Sequence, residues 1–240
     1  MDIIIYIVLI GLAAGIVKGA SGFGSSLVAI PLLSLLYTST EPRTMMITAN
    51  VLLNVLLIYE NRTYFKKSTI IKIIPLTLAG IVFTALGLYV SEQISPQIVK
   101  YIIGVLIFFA IFNKVFTFNI HIKDSILNRI IFGSFSGIGN GIASVDGPPV
   151  VLYLQGIEAK KQEFKGTLAT HFLVMGIIAT IMLAGSNSYT PELWGQIGIL
   201  VGGLVVGLII GMLVSKRLNE QKFEKVVLFI LIGLGISMFL

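Results

Sequence analysis

The sequence predicts an all-α integral membrane protein built from two inverted repeats, each with three transmembrane helices and one broken helical segment that is re-entrant or crosses twice. Three observations lead to this prediction. The chain has 240 residues, of which 56% are hydrophobic and only 12% charged, and its mean hydropathy is +0.98. Glycine and proline interrupt its apolar runs at two corresponding places. Its basic residues fall almost entirely on one side of the predicted membrane.

The apolar runs are the first observation. An average soluble domain has about 25% charged residues, so this composition indicates a polytopic membrane protein. A run of about 20 apolar residues is long enough to cross the hydrocarbon core of a bilayer. Eight apolar segments are predicted, at 3–36, 44–59, 70–90, 98–117, 128–155, 166–185, 192–214 and 226–240.

Charge and cysteine content exclude several classes of function. The net charge of +6 comes from basic residues in short loops between apolar segments, which indicates membrane topology and no nucleic-acid partner. The absence of cysteine excludes disulfides, thiolate metal sites and cysteine nucleophiles, and neither a cofactor nor a metal is predicted. The first segment lacks a basic n-region and an A-x-A cleavage site, so we expect it to remain in the mature protein.

An internal duplication relates the two halves, which we place at 1–120 and 121–240. The stretches "GIVKGASGFGSSLVAIPLLSLL" and "GSFSGIGNGIASVDGPPVVLYL" lie 118 residues apart and match in order. After a loop that is four residues longer in the second half, the match continues. The pairs are Gly15/Gly133, Gly19/Gly137, Ser26/Ser144, Pro31/Pro149, Glu41/Glu163, Arg43/Lys165, Thr48/Thr170, Gly87/Gly211 and Ser91/Ser215.

The first and fifth segments are longer than one crossing needs, and both are broken in the middle by glycine and proline. Irregular backbone at membrane depth is tolerated only where it is buried in protein or lines a cavity. Corresponding interrupted segments in two halves are typical of a transporter's binding site. The sequence therefore predicts a site between 15–31 and 133–149.

Loop charges predict the topology. If both broken segments enter and leave on the same side, one side holds fourteen basic residues and the other only Arg43 and Lys100. This asymmetry places the basic loops in the cytoplasm and both termini outside the cell membrane. The fourteen are Arg62, Lys66, Lys67, Lys72, Lys114, Lys123, Arg129, Lys160, Lys161, Lys165, Lys216, Arg217, Lys222 and Lys225.

The residues of the two breaks are suited to binding an anion. Helix N-termini carry partial positive charge and bind anions through free N–H groups, and serine adds neutral donors. Lys18 is the one full cation in the first break. In the alternative interpretation, the glycines permit close helix packing and the serines bond backbone carbonyls. The predicted substrate-binding residues are Lys18, Gly19, Ser21, Gly22, Gly24, Ser25, Ser26, Asn50, Gly139, Asn140, Gly141 and Ser144.

Asp146 and His171 are the predicted proton-coupling residues, because an ionisable group inside a membrane segment is a functional candidate. Asp146 has an alternative role as a helix N-cap or turn residue. His171 has an alternative role as a neutral ring in helix packing. Asn50 and Asn54, one helical turn apart, either line the path or join helices.

These motifs carry a family resemblance that covers nearly the whole chain. "GASGFGSSLVAIPLLSLL", the midpoint "GSFSGIGNGIASVDGPPVVLYL" and the following "EFKGTLATHF" together resemble the TauE/SafE family of sulfite and organosulfonate exporters. The resemblance implies membrane transport of small, often sulfur-containing anions and no enzymatic activity. The first break reads "SGFGSS" where many relatives have a run of glycines.

Two other functions stay open at this point. "GASG" at 19–22 resembles the Gly-x-Ser-Gly of rhomboid proteases, with Ser21 as nucleophile and His171 as base. Only one apolar segment precedes or contains Ser21, which argues against this alternative. A passive channel for small solutes is the other, since inverted repeats suit channels as well as carriers. The oligomeric state is left open.

Overall fold

The computed structural model describes residues 2–37, 40–60, 67–115, 121–186, 188–215 and 220–239, and within these ranges it is helical with no strand. The predicted all-α class is confirmed. The helices are α1 (Asp2–Ser21), α2 (Ser25–Leu33), α3 (Glu41–Glu60), α4 (Lys67–Gln93), α5 (Pro96–Val115), α6 (Ile126–Ala143), α7 (Gly147–Gly156), α8 (Lys161–Gly185), α9 (Pro191–Ser215) and α10 (Glu220–Ser237).

Six of these helices contain apolar stretches long enough to cross a membrane. They are Ile3–Ser21, Glu41–Tyr59, Ile73–Gln93, Pro96–Asn113, Glu163–Gly185 and Pro191–Val214. At a rise of about 1.5 Å per residue, even the shortest reaches nearly 30 Å. Large apolar side chains such as Leu9, Val82 and Phe229 are exposed on the outside of the bundle, where lipid would cover them. The chain is therefore a multi-pass membrane protein.

The predicted segments and the observed helices correspond closely. Six of the eight segments coincide with single helices, and the two that were predicted to be broken each contain two helices, α1 with α2 and α6 with α7. Several of the basic residues on which the topology prediction depends, Arg62, Lys66, Lys216 and Arg217, lie outside the described residues.

Two glycines produce the first break. Gly22 and Gly24 have φ angles of 85° and 89°, a left-handed conformation that glycine adopts without steric cost. The Ser21 hydroxyl oxygen lies 2.7 Å from the Val17 carbonyl oxygen and 2.6 Å from that of Phe23. This hydroxyl supplies a donor where the helix stops. The chain can therefore leave α1 and begin α2 within three residues.

Ser144 produces the second break. It adopts a left-handed conformation with φ of 54°, and its N–H donates to the Asn140 carbonyl at 2.7 Å. This bond from a left-handed residue is that of an αL helix end, and the N–H of Val145 donates to a further orphan carbonyl, that of Gly139, at 3.0 Å. Pro148 then lies in the first turn of α7, where its missing N–H costs nothing.

The second broken segment folds back on itself. The Ile122 N–H, just before α6, donates to the carbonyl of Gly156 at the end of α7, at 2.8 Å. Nearby, the Tyr153 hydroxyl donates to Asp124 Oδ1 at 2.6 Å, and Arg129 also donates to that carboxylate. Both ends of the segment therefore meet, and the chain reverses direction as a re-entrant segment requires.

Glycines bring helices into close contact in two places. A Cβ on Gly15 of α1 would lie 2.3 Å from the Leu204 carbonyl oxygen of α9, and one on Gly137 of α6 would lie 2.3 Å from the Gly80 carbonyl oxygen of α4. Only glycine permits such backbone proximity. In both pairs, glycines that come later in one helix contact residues that come later in the other. α1 therefore runs parallel to α9, and α6 runs parallel to α4.

The contacts correct the register of the two halves. Gly11, Gly15 and Gly19 of α1 meet successive turns of α9, as Gly133, Gly137 and Gly141 of α6 meet successive turns of α4. These sets lie 122 residues apart, as do the boundaries of both breaks. The predicted spacing of 118 is therefore wrong here: at a spacing of 122, Ser26 corresponds to Pro148 and Ser144 to Gly22. Because the glycines recur every fourth residue, a shift of four residues still matches most of them.

Candidate functional site

The two breaks meet at a small cavity of about 20 Å³, which we call the central cavity. It lies between the N-terminus of α2 and the N-terminus of α7. It contacts α1, α3 and α8 at its sides. Its lining consists of Lys18, Phe23, Gly24, Ser25, Ser26, Leu27, Asn50, Asn54, Ser144, Val145, Asp146, Gly147, Pro148 and Phe172.

The backbone of the two half-helices makes the cavity electropositive. The first turn of α2 has N–H groups without intrahelical partners, whereas that of α7 offers only the N–H of Gly147, because Pro148 and Pro149 have none. Helix dipoles place partial positive charge at both of these ends. Gly24 and Ser25 contribute one such end and Gly147 the other. Two helix N-termini therefore face the same small volume.

Lys18 adds a full cation near the end of α1. Its side chain is buried, with 3% exposure, and its Nζ donates to Asn50 Oδ1 of α3 at 3.0 Å. A buried ammonium is costly unless it is hydrogen-bonded, and Asn50 supplies one neutral acceptor. Since that acceptor carries no charge, the charge of Lys18 is offset only by other ionised groups at the cavity, of which Asp146 is one.

Asn50 connects the polar groups of the first break. The Ser25 hydroxyl donates to Asn50 Oδ1 at 2.8 Å, and Asn50 Nδ2 donates to Ser26 Oγ at 2.9 Å. Ser26 Oγ lies 3.3 Å from Ser144 Oγ of the second break. Because Ser26 already accepts a hydrogen bond from Asn50, its own proton is free to point to Ser144 or into the cavity.

Asp146 supplies the carboxylate that lines the cavity. It occupies the N-cap position of α7, but its side chain makes no capping hydrogen bond. The half-buried carboxylate lies close enough to Lys18 for the two charges to act on each other. Its position therefore supports the interpretation as a site residue over that as a cap.

His171 lies behind the cavity wall and does not line it. The ring is fully buried on α8, with Nδ1 3.1 Å from Thr77 Oγ1 and Nε2 3.0 Å from Ser136 Oγ. Ser136 donates its only proton to the backbone carbonyl of Asp146 at 2.8 Å, so it accepts from His171 Nε2–H. In the neutral form of the ring, Nδ1 accepts from the Thr77 hydroxyl. His171 thus supports the second break through Ser136.

Several predicted site residues lie away from the cavity. Gly19 and Gly141 contact the carbonyls of Leu208 and Thr84 in neighbouring helices, which agrees with the helix-packing interpretation. Asn140 Nδ2 donates to Thr84 Oγ1 at 3.4 Å and therefore lies toward α4. Their positions give no support to a role in substrate binding. The predicted residues absent from the cavity lining are Gly19, Ser21, Gly22, Gly139, Asn140, Gly141 and His171.

Two aromatic rings of the cavity wall were not predicted. Phe23 lies between the two left-handed glycines, and Phe172 follows His171 on α8. A Cβ on Gly147 would lie 3.3 Å from Phe23 Cδ2 and 3.8 Å from Phe172 Cζ, so both rings pack on the start of α7. A large aromatic between two glycines was the available signal for Phe23.

The protease arrangement is not formed. The Ser21 hydroxyl bonds to backbone carbonyls of its own segment, and both nitrogens of His171 bond to other hydroxyls. A serine nucleophile requires a base within hydrogen-bond reach. Across the described ranges, no three His, Asp or Glu side chains come together in a way that could hold a metal ion.

Two broken segments that meet at a small polar cavity in a multi-pass helical protein are typical of membrane transport proteins. The family model described as "Sulfite exporter TauE/SafE" matches residues 7–238, and the chain belongs to this family. Membership implies a membrane exporter of sulfite or related sulfur compounds. Comparisons with curated proteins and with solved structures give no significant match.

Proposed function

We propose that this protein exports a small sulfur oxyanion, sulfite or an organosulfonate, by binding it in the central cavity together with a proton. The observation that carries the proposal is the convergence of two half-helix N-termini and Lys18 on that cavity. Such an arrangement favours negative charge whether the anion is inorganic or the sulfonate end of an organic molecule.

Hydroxyl groups provide the neutral part of the recognition. Ser25, Ser26 and Ser144 surround the cavity, and each hydroxyl can rotate toward an anion oxygen. A group with three oxygens around sulfur presents acceptors in several directions at once. The hydroxyls and the free N–H groups therefore suit a pyramidal or tetrahedral oxyanion.

Asp146 is the proposed proton carrier. When its carboxylate is ionised, it offsets the charge of Lys18 and repels a second anion in the same cavity. When the carboxyl group is protonated, the positive charge of Lys18 and of the helix ends is no longer offset. Anion and proton are then bound together, which is the coupling that a proton-linked carrier needs.

His171 has a positioning role in this proposal. It holds Ser136, and Ser136 holds the backbone carbonyl of Asp146, so the imidazole orients the carboxylate without contacting substrate.

The size of the central cavity implies a conformational step. A volume of about 20 Å³ is close to what one water molecule needs, and sulfite has four non-hydrogen atoms. The cavity must therefore widen for transport. We propose that the halves are inverted repeats and rock about this site, with basic loops cytoplasmic and both termini outside. The reversal of the chain at α6 and α7 supports this topology.

Transport in liposomes tests the proposal. The purified protein is reconstituted and supplied with sulfite, thiosulfate, sulfoacetate or acetate, each with and without a pH gradient. We expect the sulfur anions to be transported, and Lys18→Met to lower their flux by about tenfold or more, because a charged hydrogen bond contributes about 1.5–3 kcal/mol. Lys123→Met, a change at an exposed lysine, is the control. Flux of none of the anions would refute the proposal.

A pH gradient separates the carrier from the channel. We expect flux through the unaltered protein to rise with a proton gradient in the direction of transport, and Asp146→Asn to remove that dependence. Glu192→Gln, at an exposed glutamate, should retain it. If the unaltered protein shows no dependence on the gradient and Asp146→Asn has normal flux, a passive channel explains the data better.

A further inference from the structure

A second cavity, of about 50 Å³, lies between α2, α3, α5 and the ends of α4 and α6. We call it the Arg43 cavity. Its apolar wall includes Ile142 and Ala143, which directly precede Ser144 of the central cavity, so the two cavities share the end of α6. Its polar lining consists of Ser34, Tyr37, Thr40, Arg43, Ser91 and Lys100.

Arg43 is a buried cation with unused hydrogen-bonding capacity. It lies in the first turn of α3 and is 4% exposed. Its Nη1 donates to Ser91 Oγ and, at 3.3 Å, to the Gly141 carbonyl, and neither acceptor is charged. Among the described residues, nothing accepts a hydrogen bond from Arg43 Nε. A buried guanidinium with an unused donor is costly, and a bound anion would offset that cost.

Tyr37 provides a second unused polar atom in the same cavity. Its hydroxyl oxygen is buried and, within the part of the chain that the structure describes, has no hydrogen-bond partner. Burial raises the pKa of Tyr37, and the negative charges of Glu41 and Glu192 raise it further. The phenol therefore stays neutral and keeps its proton, which makes it a donor for an anion.

The lining of the Arg43 cavity is positively charged. Arg43 and Lys100 both line it, and no Asp or Glu occurs among its described lining residues. The exposed Glu92 places a negative charge near Arg43, and Glu41 and Glu192 place theirs near Tyr37, but none of the three lines the cavity. Arg43 and Lys100 are also the two basic residues assigned to the outer face by the loop charges. An anion that approaches from this face therefore meets a cationic recess.

The Arg43 cavity is larger than the central cavity, and this difference decides which of the two has room for an anion. A volume of about 50 Å³ is roughly three to five times what one water needs, whereas the central cavity holds about one. An oxyanion with four or five non-hydrogen atoms fits the larger space without rearrangement. The Arg43 cavity is therefore large enough for a small oxyanion in the conformation in which the central cavity is too small.

We propose that the Arg43 cavity is a second binding site for a small oxyanion of the sulfite or sulfate type. Arg43 Nε, the Tyr37 hydroxyl and the Lys100 ammonium hold the anion, and the site receives it from the central cavity before release on the outer face. This role in the route rests on the proposed function, whereas anion binding at Arg43 does not.

Equilibrium binding of radiolabelled sulfite to the full chain in lipid nanodiscs tests the site. We expect two anions per chain for the unaltered protein and one for Arg43→Met. Lys18→Met should also leave one, and the double variant none. Lys165→Met is the matched control, because Lys165 is the counterpart of Arg43 in the second half and is exposed on α8. It should still bind two anions.

Arg43 also bonds to α4 and α6, so a folding defect is a second explanation for lost binding in Arg43→Met. Tyr37→Phe is therefore a second test of the site. This change removes only a hydroxyl without a described partner, and it should weaken one of the two binding events by about tenfold. Two binding events of unchanged affinity in Tyr37→Phe would overturn the proposal, as would two in folded Arg43→Met. Loss of one event in Arg43→Met but none in Lys18→Met would refute the central cavity and support this site.

Discussion

Lys18 Nζ donates a hydrogen bond of 3.0 Å to Asn50 Oδ1, which joins the end of α1 to the middle of α3 beside the central cavity. The Ser25 hydroxyl donates to the same oxygen at 2.8 Å. One neutral amide therefore accepts bonds from both the buried cation and the start of α2. This shared acceptor links the first break to a helix that is far away in sequence.

Replacement of Asn50 by leucine should destabilise the protein. The ammonium of Lys18 would remain buried without this acceptor, so we expect the free energy of unfolding to fall by about 1–3 kcal/mol, together with the flux of sulfite. Unfolding in detergent measures the first effect and liposome transport the second. Asn54→Leu is the comparison, because the Oδ1 of Asn54 has no partner among the described residues. Equal destabilisation by both changes would contradict the role given to Asn50.

The close contact of α1 with α9 predicts that substitution by alanine affects stability very differently at two glycines. Gly15→Ala would bring a methyl group to 2.3 Å from the Leu204 carbonyl oxygen, so the helices must separate and unfolding should become easier by about 1–3 kcal/mol. Gly198→Ala, on α9 itself, meets no heavy atom within 4 Å. It should leave stability unchanged or raise it by up to about 1 kcal/mol, because alanine favours helix. A stable Gly15→Ala protein would refute the parallel packing of α1 and α9.

The separate roles of Asp146 and His171 predict different pH profiles. His171→Gln should lower the rate of transport, because the support of the second break through Ser136 is weakened, but flux should still respond to a proton gradient. Asp146→Asn should lose that response, because it removes the titrating group from the cavity. Flux measured with the proton gradient imposed in each of the two directions shows whether each variant still responds to it. A His171→Gln protein without proton dependence would make His171 the carrier.

The inverted topology predicts opposite accessibility for two loops. The chain has no cysteine, so single cysteines report position without background. Leu35, between α2 and α3, is 64% exposed and should be labelled from outside. Lys160, before α8, is exposed and should be labelled only from the cytoplasmic side. An impermeant thiol reagent applied to intact cells and to inverted vesicles distinguishes the two. Labelling of both positions from one side would exclude the inverted arrangement.

Much of the fold was predictable because the bilayer restricts the backbone. Every spanning segment needs about 20 apolar residues and internal hydrogen bonds, so hydropathy locates the helices. The first break could be recognised because glycines lie inside an apolar segment, where a straight helix has no need of them. In the structure, Gly22 and Gly24 adopt the left-handed backbone conformation there. The register of the two halves was less predictable. The glycine repeat of four residues matches itself after a shift of four, and only the contacts with α4 and α9 distinguish the two alignments.

The sequence predicted the type of site but not all of the residues that line it. Lys18, Ser26 and Asp146 line the central cavity as expected, because a polar or charged residue beside a break in a membrane segment has few other places to lie. Asn140 lies in an equally suitable stretch but bonds to Thr84 on α4. The rotation of α6 about its own axis decides this, and it depends on which helix its glycines contact.

The sequence by itself determined the helices, the two breaks and the supply of charge, because these follow from local backbone hydrogen bonding and from transfer into lipid. Only the tertiary structure decided which of these groups share a cavity. Arg43 and Lys165 occupy matched positions, yet Arg43 is buried against Ser91 and Gly141 whereas Lys165 is exposed. Their surroundings come from segments distant along the chain, and the packing of those segments is not encoded at either position.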